Sequence, residues 1–392
     1  MKDILFCKGI PAKYFLLHVL FAGVLISCSQ EYMNTDTSSA RAKYLPPDQK
    51  ILVFIGQSAT DVGGDIYPIE SFGPEHVDPN DPHGYGYINK MVEEGGAPMP
   101  GGITTYFFFE LIDEEPVLTM GSDWLDLVIG RSIFDNTAFH ISLGISNVNS
   151  EVASGAFDDA IRQLGAKISS YNRPVFLRIG YEFDNIGHGN NDPVLFQASW
   201  RRIIDILREE NVDNFATVFS SIFILESVPL LTNCSPDNPL DCYPHEAYYP
   251  GDDYVDWMGS SFWFGPVSIL PDRCMDMLNF ARKRSKPVLL AETAPLLSDL
   301  KLDWLQDIFL MRFRLYFEFM EKNRDVIKAV HYINNHWQIN PFWSEVPIYI
   351  WFSVMDTRLH INDAVKTLWL EKMAKTDIYL NAHERLFEEL GY

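Results

Sequence analysis

The sequence predicts a single (β/α)8 barrel over residues 51–392. Eight short runs of apolar, β-branched or aromatic residues recur along that span. Most are separated by segments whose apolar residues fall at helical spacing. No low-complexity stretch or repeat interrupts them, and the length suits one α/β barrel with insertions better than several small domains. Strands that are apolar on both faces and joined by helices imply parallel pairing under a helical coat. An open doubly wound sheet is the rival, but no G-x-G-x-x-G phosphate loop follows the first run.

In chain order the runs are Ile51–Gly56, Ile103–Phe109, Ala138–Ile145, Pro174–Phe183, Phe215–Ile222, Val255–Trp263, Pro287–Ala294 and Ile327–Asn334. Helices are expected near 122–133, 153–170, 194–210, 272–285 and 302–323, with 362–374 after the last strand. Within the second of these, Ala156, Phe157, Ala160, Ile161 and Leu164 form an apolar stripe, while Asp159, Arg162 and Gln163 face away from it. That is the pattern of a helix packed on a sheet.

Ahead of the barrel, residues 1–27 read as a targeting segment. Lys2, Lys8 and Lys13 precede the apolar run Tyr14–Ile26, which is shorter than the ~20 residues that span a bilayer. The tetrad Leu25-Ile26-Ser27-Cys28 resembles a bacterial lipobox, which implies cleavage before Cys28 and a lipid on that residue. Residues 28–50 are polar, with no apolar periodicity, and read as a flexible tether. Anchor and tether together would hold a soluble domain at a membrane surface, in the cell envelope of a bacterium.

Charge and cysteines fit export. The formal net charge is −22, and residues 1–27 contribute +2, which leaves −24 on the remainder. Nucleic acid and anionic lipid headgroups are poor partners for so acidic a chain. Of five cysteines, Cys7 leaves with the signal and Cys28 takes the lipid. Cys234 and Cys242 flank a loop rich in Pro, Asn and Asp, and an oxidising compartment would let them bridge; Cys274 stays free. No spacing matches a zinc site. The loop 75–84 offers oxygen ligands, but two prolines and irregular spacing separate it from an EF-hand, and no metal or cofactor is expected.

Barrel active sites lie at the C-terminal ends of the strands, so polar residues there are the candidates. The fourth run carries Arg178 and Glu182, placed by strand alternation on one face with Phe176 and Gly180. The seventh carries Glu292, grouped by the same parity with Val288 and Leu290. A plain ion pair between Arg178 and Glu182 is the structural alternative, because a buried charge must be matched. Two carboxylates on non-adjacent strands, both at the mouth, match what glycosidic cleavage needs. One protonates the leaving oxygen, and the other meets the positive charge developing at the anomeric carbon. The acid must keep its proton near neutral pH, so burial and its partner's charge should raise its pKa. Arg178 favours the ionised form of whichever carboxylate it touches and is expected to orient rather than protonate.

Over most of residues 51–375 the sequence resembles glycoside hydrolase family 26 and, more broadly, the clan GH-A retaining glycosidases. Leu177-Arg178-Ile179-Gly180-Tyr181-Glu182-Phe183-Asp184 resembles the family's Arg-x-x-His-Glu-Met-Asn block, and Leu290-Ala291-Glu292-Thr293 its nucleophile block. Tyr254-Val255-Asp256-Trp257-Met258-Gly259 is similar to the strand-six element, and His331 to Trp337 to the end of strand eight. The resemblance implies Glu182 as acid/base and Glu292 as nucleophile, with Arg178, Tyr181, Trp263, His331, Asn334 and Trp337 around the substrate. Three positions depart from the pattern the resemblance implies: Tyr181 stands for a His, 186–190 replace an aromatic run, and Trp263 stands for the Tyr after strand six; in the family these positions shape the sugar-binding floor and steer the nucleophile.

Aromatic residues make up 14% of the chain, and Trp257, Phe262, Trp263, Phe264, Trp337 and Trp343 are read as crowding the mouth. Indole faces stack on the apolar C–H faces of sugars, and Trp263 and Trp337 are the candidate platforms. His331 and His336 are candidates for substrate hydroxyls. The function expected is a retaining endo-acting hydrolase of a β-mannan, xylan or β-glucan. Two alternatives stand beside it: a glycan-binding surface lipoprotein that has lost catalysis on the same scaffold, and a barrel enzyme of unrelated chemistry.

Overall fold

In the computed structural model, residues 42–64, 86–120, 124–185, 188–190, 192–222, 245–264, 272–295, 300, 306–337 and 355–392 are described. Signal segment, Cys28, most of the tether, Cys234, Cys242, the loop 75–84 and Trp343 lie outside them. Among the described residues no helix is long and apolar enough to cross a membrane, and no cluster of His, Cys, Asp and Glu could hold a metal ion.

Eight parallel strands form the sheet: β1 (Ile51–Ile55), β2 (Gly102–Ile112), β3 (Ala138–Gly144), β4 (Val175–Ile179), β5 (Phe215–Ser221), β6 (Trp257–Phe264), β7 (Val288–Pro295) and β8 (Ile327–Tyr332). Each pairs with the next. The sheet closes because β1 pairs with β8, Leu52 opposite Ala329, and with β2, Phe54 opposite Gly102. Closure rules out the open doubly wound sheet. Where β2 has not yet begun, the two-residue strand Tyr379–Leu380 covers the lower part of β1.

Side chains alternate between two clusters, as the pleat requires. One set, including Val53, Ile103, Phe139, Leu177, Phe219 and Val330, faces the helical coat. The other, with Leu52, Ala138, Phe176, Val218, Trp257 and Ala329, fills the barrel below the site. Phe176 is central there, edge-on to Phe54 and Trp257 at 5.2 Å each.

The coat follows the expected helices with physical interruptions. Helices Pro193–Glu209, Asp272–Lys283, Gln306–Lys322 and Asp363–Met373 stand where the periodicity puts them. Of the expected helix 122–133, Trp124–Val128 is helical and ends before Gly130 at φ +85. The expected helix 153–170 begins instead at Asp158, separated from Asn149–Ser154 by Gly155 at φ +98. Strand β2 runs past Phe109 into a hairpin with Glu115–Met120. Its two loop residues, Asp113 and Glu114, both have positive φ, the geometry of a tight primed turn.

The tether does not extend to residue 50. Residues 42–50 pack on the floor of the barrel, because Tyr44 and Leu45 carry apolar surface that the lower cluster buries. The Tyr44 ring lies 5.8 Å from Phe176, and the Trp257 indole donates to the Lys43 carbonyl at 2.8 Å. Trp257 therefore belongs to the floor, not the mouth. Phe262 and Phe264 face the coat, against Tyr316. Both corrections follow from alternation along β6: of its aromatic residues, only Trp263 sits high on the inward face.

Candidate active site

Strand β4 ends at Ile179, and the chain then takes two left-handed steps, Gly180 at φ +50 and Glu182 at φ +51. Beyond Ile179 pleat alternation no longer applies. These turns, rather than strand parity, bring Glu182 over the mouth. A non-glycine residue held at positive φ costs roughly 1–3 kcal/mol and persists only where neighbours fix it. Here Phe183 stacks on Phe219 at 4.3 Å, the Phe183 amide donates to the Ser220 carbonyl at 3.2 Å, and Asn185 Nδ2 donates to Glu182 Oε2 at 2.9 Å.

Glu292 reaches the same pocket by a different device. Leu290 lies opposite Ser260 and Glu292 opposite Ser261, so Ala291 is an extra residue in β7. Below this bulge Val288 and Leu290 face the coat, whereas Leu289 and Ala291 face the interior. Were the strand regular through Ala291, Glu292 would point outward. The sequence reading grouped Glu292 with Val288 and Leu290, and the bulge overturns that grouping: Glu292 points inward although they do not. Thr293 then turns to the coat, bonded to Tyr316 at 2.7 Å.

Arg178 joins the two ends of the site. It is fully buried, its Nη1 donates to Glu292 Oε1, and its Nη2 donates to Ser261 Oγ at 2.9 Å. Its ion-pair partner is thus Glu292 rather than Glu182. Burial alone would lower the Arg178 pKa, but the charges of Glu292 and Glu182 outweigh it and the net shift is upward. Glu182 is pushed above the ordinary carboxylate range by burial and then by the charge of Glu292. His188, Arg178 and Ser261 act against that shift. His188 Nε2 stands 3.8 Å from Glu182 Oε2, and its Nδ1 lies 3.0 Å from the Tyr181 carbonyl.

Tyr181 occupies the site, half-buried, with the Arg178 guanidinium 5.3 Å from its ring and the His188 and Tyr106 rings edge-on at 4.9 and 5.4 Å. Other expected contacts are structural. His331 is buried with its nitrogens against the carbonyls of Ala291 and Gly56, both at 2.5 Å. Those carbonyls favour a charged ring, but burial prevails and pushes its pKa down to about 4. His331 therefore ties β8 to the tops of β1 and β7 rather than meeting substrate. Asn334, also buried, accepts from the Leu359 amide at 2.9 Å. Trp337 is 1% exposed, donates to Thr357 at 3.1 Å and packs edge-on beneath Trp263 at 5.7 Å. It supports Trp263, which stays partly open, and presents no face of its own. His336 is buried 3.5 Å from Asp356.

Four residues at the site escaped the sequence reading: Gln57, Tyr106, Ser261 and Asn185. Tyr106 and Ser261 were findable, since each is a polar side chain on the inward register of its strand. Tyr106 shares that register with Thr104, and Ser261 with Trp263. Gln57 and Asn185 sit on loops that no periodicity marks.

The fold and the pair of carboxylates define a glycosidase barrel, and similar proteins agree. No protein-family model matches the chain. It is 26% identical over 367 residues to a β-1,3-xylanase of Vibrio sp., covering 89% of this chain and 70% of that protein. It is 25% identical over 310 residues to a β-1,3-xylanase of Alcaligenes sp., covering 75% of this chain and 62% of that protein. Among solved structures, the catalytic domain of a family 26 endo-β-1,4-mannanase from Bacillus sp. JAMB-750 superimposes with a TM-score of 0.54. It is 14% identical, over 85% of this chain and 88% of that one, and so speaks to the fold. The resemblance to glycoside hydrolase family 26 read from the sequence is borne out, and with it the assignment to the glycosidases.

Proposed function

We propose that the chain is a retaining endo-β-glycanase with Glu182 as acid/base, Glu292 as nucleophile and β-1,3-xylan as substrate. The observation that carries the reading is the unequal treatment of two carboxyls in one pocket. Arg178 is bonded to Glu292, while Glu182 lacks that ion pair and is driven toward its protonated form. Environments that separate two carboxyls in this way assign the acid and the base. Glu182 gives its proton to the glycosidic oxygen as the bond to the anomeric carbon breaks. Glu292 attacks that carbon from the opposite face and forms a glycosyl ester. Water, deprotonated by Glu182, then displaces Glu292 and restores both groups with net retention. The names of the two curated relatives favour β-1,3-xylan over mannan.

Reducing-end release by residues 42–392 from β-1,3-xylan, β-mannan and β-glucan tests the reading. Proton NMR of the first-formed anomer tests retention. The proposal expects fastest release from β-1,3-xylan, a β product, and a fluorinated xyloside trapped on Glu292. Tight glycan binding without turnover would instead make the chain a binding module. Attachment to a membrane through Cys28 is proposed from the lipobox-like tetrad. Lipid labelling of the full chain that survives Cys28→Ser would refute it.

A further inference from the structure

The chain that leaves β4 folds back on the carboxyl it delivers. The Asn185 amide donates to the Glu182 carbonyl at 2.8 Å, and the His188 amide donates to the Asn185 carbonyl at 3.0 Å. Two such bonds in succession bring His188 back to Glu182. The far end is pinned to helices Asn149–Ser154 and His245–Tyr248. Asn190 is buried there, its Oδ1 accepting from Asn149 Nδ2 and its carbonyl from the Tyr248 hydroxyl, both at 2.8 Å. Gly189 passes so close to Asn147 that a Cβ would lie 2.0 Å from Asn147 Oδ1. His188 is therefore held from both sides of the chain, with its side chain still partly open to solvent.

The hydrogen bonds assign the atoms. His188 Nδ1 lies 3.0 Å from the Tyr181 carbonyl, which only accepts, so Nδ1 carries a hydrogen. In the neutral ring Nε2 is then the acceptor. It stands 3.5 Å from Asn185 Nδ2 and 3.8 Å from Glu182 Oε2. Asn185 Nδ2 is also the donor to Glu182 Oε2, at 2.9 Å. One amide nitrogen with two hydrogens thus serves the carboxyl and the imidazole together, and the imidazole keeps that nitrogen, rather than the amide oxygen, turned toward Glu182.

We infer that Asn185 and His188 are a positioning pair for Glu182: the imidazole, fixed by the Tyr181 carbonyl, sets the Asn185 amide, and the amide holds the carboxyl in its working orientation. The inference rests on the proposed role of Glu182 as acid/base. An acid that gives up its proton in one step and takes one back in the next works best when neither form is too strongly favoured. Burial and Glu292 on β7 favour the protonated form, while Arg178 on β4 and His188 oppose them. The Asn185 bond is a donor to the carboxylate and adds to that opposition. Tyr181, edge-on to His188 and to Tyr106 of β2, is the remaining titratable neighbour of the imidazole.

Two measurements on residues 42–392 test the inference. In 15N spectra of the imidazoles, His188 is identified as the signal missing from His188→Asn. At pH 8 the parent ring should carry its hydrogen on Nδ1 alone, and a hydrogen found on Nε2 overturns the inference, whether or not the protein is active. Carboxyl NMR then follows Glu182, identified by its loss in Glu182→Gln. Asn185→Ala should move the Glu182 titration upward by about one pH unit, and His188→Asn should move it the same way by less. An unmoved titration in folded Asn185→Ala overturns the inference. On β-1,3-xylan, Asn185→Ala should lower kcat/KM about 10-fold, the worth of one hydrogen bond to a charged group. The basic limb of its pH profile, which reports loss of the acid's proton, should shift upward with the titration. An equal loss at every pH with the limb in place marks a merely structural effect and overturns the inference. If the parent turns over no glycan while tautomer and titration behave as stated, the function reading fails and the pair stands.

Discussion

The lower and upper halves of the barrel interior are built on opposite rules. Below, Leu52, Ala138, Phe176, Trp257, Ala329 and the inserted Tyr44 meet through aromatic edges and aliphatic contact. Above, on the same strands, His140, Arg178, Ser261, Glu292 and His331 meet through hydrogen bonds and charge. Two residues along β4, from Phe176 to Arg178, span the change. The lower half stabilises the barrel by burying apolar surface. The upper half holds charges that are costly to bury and depends on the rigidity beneath it to keep them aligned.

Substitutions that damage one half and spare the other sharpen this division. The largest effect expected is on activity: Glu292→Ala should reduce turnover on the order of 10^4-fold or more. It should also destabilise the protein, because Arg178 is left buried without its partner. Reducing-end assays beside denaturant unfolding separate the two losses. In the lower half, Trp257→Ala should cost about 3–5 kcal/mol in urea unfolding, while the kcat of the fraction that remains folded stays near that of the parent. A kcat loss larger than the loss of folded protein would break the division.

An intermediate effect concerns pH. Burial pushes the Asp61 carboxyl up to about 7, whereas an unfolded aspartate titrates near ~3.9. Between those values the folded chain holds the extra proton, so stability should fall as pH rises from about 4 through about 7 and then level off. Asp61→Asn should flatten that fall, by an amount on the order of a few kcal/mol, in thermal unfolding followed from pH 4 to 8. Glu182 shares the direction, so removing the Glu292 charge with Glu292→Gln should bring the Glu182 titration down, as carboxyl NMR would report. Smallest is Tyr44→Phe. Its hydroxyl contributes only a 3.4 Å contact to the Asp213 carbonyl, and the cost should stay below about 1 kcal/mol with the ring still in place.

The lower half was largely legible in the sequence, because apolar alternation is what the pleat imposes. Each of the eight apolar runs became a barrel strand, and Phe176 and Arg178 face inward as alternation says. Glu182 and Glu292 were legible as residue types at strand ends, but not in how they arrive. Glu182 depends on two left-handed steps, and only the glycine among them is marked in the sequence. His331 and Asn334 looked like substrate contacts because a polar residue at a strand end carries no sign of whether the backbone has already claimed it. Gln57 lies just before a helix start readable as Ser-x-x-Asp, yet its contact with the Tyr106 hydroxyl comes only with barrel closure.

Ala291 shows how little separates an inward carboxylate from an outward one in such a strand. A reader who scans for acids in phase with the inward residues would discard Glu292. A more useful signature is a hydrophobic strand that loses its beat at one small residue just before the acid. Deleting Ala291 would restore the beat with Glu292 still inward, one step after the outward Leu290, whereas a strand that kept Ala291 and lost the bulge would swing the carboxylate into the helical coat.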